Sequence, residues 1–139
     1  MDKYIYPAVF DPCEEGGYCV TFPDLSGIVT EGNNIEEALA MAKEALTLHV
    51  WGMENDGDAL PAPTSPEKIS FPEGGFVSLV EAWMPPIRDR MANKAVNKMI
   101  TLPKWLKDLG ERENVNFSHV LQDALKKHLG VANKAKRQP

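Results

Sequence analysis

The chain is poor in the residues that usually announce a chemistry. It has two cysteines and three histidines in 139 residues. Cys13 and Cys19 stand six apart, without the neighbouring Cys or His of a structural zinc pattern. No metal and no cofactor are therefore expected, and the pair reads as two free thiols. Apolar runs last only a few residues, far below the roughly 18 that span a bilayer. No membrane partner is expected. The opening "MDKYIYPAVF" enters an alternating pattern at once, with no basic stretch leading into an apolar one, so the cytoplasm is the expected location. Basic charge is also scarce until late in the chain. Residues 1–93 carry 16 Asp and Glu against 5 Lys and Arg, whereas residues 94–139 carry 10 Lys and Arg against 4 Asp and Glu. A net −5 thus hides an acidic body and a basic end, which suggests two jobs and, for the basic end, a polyanionic partner.

What is present suffices for a core, with 43% hydrophobic residues. "KYIYPAVF" and "YCVTF" alternate on either side of the turn "DPCEEGG" and predict a hairpin. A third short strand is expected near residues 28–30. "NNIEEALAMAKEALTLHVWGM" then places Ile35, Leu39, Ala42, Leu46, His49 or Val50, and Met53 at helical spacing, with Asn34 as cap and Glu37 three residues on. A loop rich in proline, glycine and acids follows, and "KISF" and "GFVSLVEAW" read as two more strands. "MPPIRDRMANKA" breaks the pattern and reverses the charge, which marks a domain boundary.

Beyond it the spacing predicts a strand over 96–102, a helix from Pro103 to about Glu113 burying Trp105 or Leu106 and Leu109, and a turn at Asn114 and Val115. A second helix, capped by Asn116 and ending at Gly130, is expected to bury Phe117, Val120, Leu121, Ala124, Leu125 and Leu129. A strand and two helices alone hold too little core, and a lone strand has unpaired backbone groups. Pairing two copies antiparallel removes both liabilities, so a homodimer is expected as a condition of folding.

"VNKMITLPKWLKDLGERENVNFSHVLQDALKKHL" resembles a ribbon-helix-helix DNA-binding domain. The resemblance implies a two-stranded ribbon in the major groove of operator DNA. Period two turns Ile100 and Leu102 inward, and Asn97, Met99 and Thr101 outward at positions matching the family's base readers. Lys98 is assigned to phosphate from the ribbon's end, and the helix start at Asn116, Phe117 and Ser118 is assigned to a phosphate through its backbone N–H groups.

"GGYCVTFPDLSGIVTEGNNIEEALAMAKEALTLHV" resembles the N-terminal domain of HicB-type antitoxins. That resemblance implies a partial ribonuclease-H-like fold that binds and blocks a HicA-type toxin ribonuclease. An acidic domain facing a protein that handles RNA is consistent with it. Glu14, Glu15, Asp24 and Glu31, at strand ends and turns, are the toxin-binding candidates. The expectation is therefore an α+β chain: a partial ribonuclease-H-like antiparallel sheet with one main helix over 1–84, a linker over 85–95, a ribbon-helix-helix domain over 96–130 that dimerises, and a disordered basic tail over 131–139. Its work is antitoxin and autorepressor, as dimer or tetramer. A second reading is a ligand- or metal-responsive repressor, motivated by Cys13, Cys19, His49, His119 and His128. A magnesium-dependent nuclease is a third, drawing on Asp11, Asp24 and Glu31; no catalytic residues are assigned, because turn positions give no sign that these carboxylates converge.

Overall fold

Two antiparallel arms form where the alternation runs. The computed structural model describes residues 1–131. Strands β1 (Lys3–Pro12), β2 (Tyr18–Thr21) and β3 (Val29–Gly32) make a meander, and β4 (Phe76–Trp83) joins the far side of β1, giving an antiparallel sheet in the order β3-β2-β1-β4. Pro7 lies within β1 although it cannot donate to a ladder. It is tolerated because β1 pairs with β2 only from Val9 onward, so at Pro7 the strand is paired on one side alone, by β4.

Helix α1 (Ile35–Asp56) starts as its cap dictates: Asn34 Oδ1 accepts from the Glu37 amide at 2.8 Å. Gly57, in the left-handed region, closes it. The helix packs on β2, β3 and β4 with Ala38, Ala42, Leu46 and Val50 buried, and Tyr6, Ala8, Phe10, Val20, Val80 and Ala82 of the sheet are buried as well. Each large side chain so buried contributes about 1.5–3 kcal/mol. The buried stripe differs from the expected one at its start, since Ile35 and Leu39 are 52% and 46% exposed. The cause is close approach. A Cβ on Gly32 would meet the Ala38 backbone N at 2.2 Å, so α1 turns alanines, not Ile35 or Leu39, toward β3. Phe10 and Phe76 stack at 4.8 Å, with Tyr18 edge-on to both, closing the hairpin end of the core.

Two other expectations are corrected. "KISF" forms no strand: a single 3-10 turn, Pro66–Lys68, takes its first residue and Pro72 opens the next turn, which leaves too little chain for a ladder. The stretch expected as a linker over 85–95 carries a further helix, α2 (Pro85–Ala92), with Ile87 buried. Its prolines occupy the first turn, where no i→i−4 donor is required.

Arg88 ties the ends of the first unit together. It donates Nε and Nη2 to the two oxygens of Glu54, at 3.1 and 2.6 Å, and further bonds to Asp2 Oδ1 and the Met1 carbonyl, each at 2.6 Å. Tyr4 Oη also donates to Glu54, at 3.2 Å. Such a bidentate, half-buried pair is stronger than an exposed one.

The chain divides into two compact units, Met1–Arg88 and Asp89–Pro139. In the second, α3 (Lys104–Arg112) and α4 (Phe117–Leu129) flank a turn at Asn114, which adopts φ 55° as asparagine can. Residues 96–102 form no strand, contrary to expectation, since a single chain offers that run nothing to pair with. For the same reason no residue of α3 or α4 is fully buried: Leu106, Leu109, Phe117 and Leu125 are half-exposed, and Trp105, Val120 and Leu129 more so. Apart from Val131, the tail expected over 131–139 lies outside the described residues.

Two outcomes follow. Gly32→Ala forces α1 off the sheet and is expected to cost about 1–3 kcal/mol by denaturant unfolding, more than the roughly 1 kcal/mol of Asn34→Ala. The Arg88 hydrogen bonds hold the Glu54 carboxyl below the usual carboxylate range. A lowered folded value means stability that is present above the unfolded carboxylate pKa and lost as pH falls through the folded one. Glu54→Gln should therefore flatten the acid-side decline in melting temperature, and an unchanged decline would show that Glu54 does not drive it.

Candidate functional sites

In the first unit the hairpin turn sets the geometry. The Cys13 amide donates to the Gly17 carbonyl at 3.0 Å and the Gly16 amide to the Cys13 carbonyl at 3.1 Å. Gly17 has φ 78° and lies so close to the Gly32 carbonyl, 2.1 Å from where its Cβ would be, that no other residue fits. Glu14 and Glu15 are exposed on this turn, and Glu31 is exposed on edge strand β3.

Asp24 is engaged within the fold. Its oxygens accept from the Thr64 amide at 2.9 Å and from Thr64 Oγ1 at 2.6 Å, and Tyr6 Oη donates to the nearby Pro61 carbonyl. The pair straps the proline-rich loop to the first unit; burial, first, and the Asp24 charge push the Tyr6 phenol up. Asp11, Asp24 and Glu31 do not form one group: Asp11 and Glu31 stand on either side of Cys19 in register, while Asp24 holds Thr64. His49 is half-buried beside Gly27, on the rim of a shallow groove with Val29 and Leu48.

The cysteines are the feature that sequence spacing did not reveal. Both are free, and Cys13 Sγ, Cys19 Sγ and a Glu31 carboxylate oxygen all lie within 4.8 Å of one another. The Cys13 thiol is pushed up to about 11, first by its hydrogen bond with Cys19, then by burial and the negative charges of Cys19, Glu31 and Asp11. The readable signal was strand register: Cys19 falls opposite Asp11 on one side and opposite Glu31 on the other.

In the second unit, Asn97, Lys98, Met99 and Thr101 are all exposed, Met99 at 96%. Asn116 caps α4 through its side chain, which accepts from the His119 amide at 3.1 Å. The amides of Phe117 and Ser118 precede the first helical bond, from Val120 N–H to the Asn116 carbonyl. The Phe117 ring packs on Gly110, where a Cβ would meet it at 2.6 Å. Its side chain is therefore a packing group, and only its backbone is offered at the helix start. Ile100, Leu102, Leu106, Leu109, Val120 and Leu121 line an open apolar groove of about 500 Å³.

With this geometry in hand, residues 6–128 match the family described as "HicB_like antitoxin of bacterial toxin-antitoxin system". The chain belongs to that family. Antitoxin HicB 1 of Photorhabdus laumondii subsp. laumondii is 39% identical over 69 residues, 48% of this chain and 44% of that protein. Antitoxin HicB of Escherichia coli strain K12 is 36% identical over 59 residues, 42% of this chain and 43% of its own. The matches span less than half the length of either curated relative. A chain of the "Toxin-Antitoxin complex from Streptococcus pneumoniae" superposes with a TM-score of 0.60 at 28% identity, covering 91% of this chain and 99% of that one. The Burkholderia pseudomallei antitoxin HicB shares the fold, with a TM-score of 0.52 at 20% identity over 89% of this chain and 98% of its own. Among the described residues no helix is long and apolar enough to cross a membrane.

Asp24→Ala removes two hydrogen bonds to a carboxylate, each worth about 1.5–3 kcal/mol. Hydrogen exchange of the Thr64 amide should accelerate, with little change at the amides of α4. Unaltered protection at Thr64 would refute the strap.

Proposed function

We propose that this antitoxin binds and neutralises a HicA-type toxin ribonuclease through its first unit, and represses its own operon by binding operator DNA as a dimer through its second. The observation that carries the second half is the lack of a core among the described residues of the second unit. Its apolar side chains line an open groove, and none of its residues in α3 or α4 is buried. Residues that must leave water and cannot do so within one chain favour a second copy. Antiparallel pairing of residues 96–102 from two chains would satisfy the backbone groups of that run at the same time.

On this reading residues 1–84 form the toxin-binding domain, with a partial ribonuclease-H-like fold, 85–95 connect, and 96–130 form a ribbon-helix-helix domain. Asn97, Met99 and Thr101 face base edges, while Lys98 and the amides at Phe117 and Ser118 hold phosphates. The charge division supports both halves. A body at −11 over residues 1–93 complements a protein that grips RNA, and an end at +6 over residues 94–139 suits DNA. Glu14, Glu15 and Glu31 are the exposed carboxylates offered to the toxin. The protein acts in the cytoplasm and needs no catalytic group of its own.

Co-expression with the product of the adjacent small gene tests the antitoxin half: growth should recover and the two proteins should co-purify, and failure of both rejects it. For the second half, Ile100→Lys should abolish dimers in sedimentation. Thr101→Ala should keep dimers and weaken operator binding by about 1–3 kcal/mol, the usual cost of one lost base contact. Normal operator affinity in Thr101→Ala would overturn the outward assignment.

A further inference from the structure

We propose that Cys13, Cys19 and Glu31 form a binding site for a borderline-soft divalent cation of the zinc class, stapling the β1–β2 hairpin turn to edge strand β3. The inference shares Glu31 with the proposed toxin-binding surface but rests on neither the toxin nor the DNA reading. Three observations carry it. The first is proximity: two sulfur atoms and a carboxylate oxygen, contributed by a turn and two different strands, lie within 4.8 Å of one another. Around a tetrahedral ion with Zn–S bonds of about 2.3 Å, such donors stand about 3.8 Å apart. Small χ rotations close the gap, and these side chains can make them, Glu31 being exposed and both cysteines half-exposed.

The second observation is rigidity. Cys19 and Glu31 are directly paired across β2 and β3, so their Cβ atoms share one face of the sheet. Cys13 is held by its amide bond to Gly17, in a turn that Gly16 and Gly17 make with positive φ. The donors are thus preset by backbone, which lowers the ordering cost of binding.

The third is charge. Asp11 pairs with Cys19 on the other side, so the thiols sit between two carboxylates in the sheet register. Carboxylates on both sides of Cys19 make this patch a favourable place for a cation. Two sulfurs select zinc-class ions over magnesium or calcium, which prefer oxygen alone. The fourth corner faces solvent and takes water.

The test uses the full chain, reduced with a phosphine and titrated with Co²⁺ alone. Cys13 and Cys19 are the only cysteines in the sequence, so any thiolate-to-cobalt charge-transfer band reports on them. The band should saturate at one cobalt per chain and be bleached by Zn²⁺. Cys13→Ser and Cys19→Ser should each lose at least half of it. Glu31→Gln, at an exposed position that leaves the fold intact by circular dichroism, should keep the band and weaken binding about ten- to a hundred-fold. No band while both thiols react as reduced would overturn the site. Saturation at one cobalt per two chains, or unchanged affinity in Glu31→Gln, would overturn it equally.

Discussion

The first unit depends on one close contact, the backbone of Gly32 against the start of α1. Only a residue without a Cβ lets Ala38 approach this near, and the approach fixes how the helix lies on the sheet. Because side chains alternate along a strand, placing Gly32 toward the helix sends Glu31 to the opposite face. There it meets Cys19, its partner in register, and Asp11 stands beyond. A packing requirement on one side of the sheet thus arranges the polar chemistry on the other. Gly17 serves the same end, since its own lack of a Cβ brings the hairpin turn against the Gly32 carbonyl.

The two units solve the problem of stability differently. The first covers its sheet with α1 and closes the exposed ends with Arg88, whose guanidinium gathers Glu54, Asp2 and the Met1 carbonyl. Its core residues, among them Phe10, Val20, Leu46 and Val50, are fully out of water. The second has good local signals but no such interior among its described residues. Asn116 caps α4, Gly130 ends it, and Lys104 with Asp108 and Lys107 with Glu111 pair along α3 at helical spacing. These local terms are each worth a few tenths to about 1 kcal/mol. They define helices without supplying a fold, which must come from apolar area that one chain leaves open.

Much of this was legible in the sequence, and the misses share a cause. The hairpin, the Asn34 cap and the α3-turn-α4 order rest on local signals, so they were readable in one dimension. "KISF" failed because alternation over four residues says nothing about whether a neighbouring strand is free to pair. Ala42, Leu46 and Val50 are buried as expected, but Ile35 and Leu39 are not, because hydrophobicity favoured them while the actual contact at the start of the helix selected the small residue Ala38. Arg88 and Glu54 are 34 residues apart, and nothing local joins them. The cysteines illustrate the limit best: a six-residue spacing matches no ligand pattern, and the third donor comes from a different strand. Hairpin register, carried one strand further, would have placed it.

The charge division gains a physical meaning from this arrangement. None of the acidic side chains among the described residues is buried, and Glu14, Glu15 and Glu31 are exposed at the hairpin turn and edge strand, so their repulsion costs the core little. Residues 94–139 carry the basic excess, 10 Lys and Arg against 4 Asp and Glu, and the same stretch holds the apolar groove that a single chain leaves open. Bringing two copies together there doubles the local positive charge, which opposes association by itself and is relieved when a polyanion binds. On the proposed reading, dimerisation and nucleic-acid binding are thermodynamically linked: an anion that neutralised the basic end would also favour the paired state.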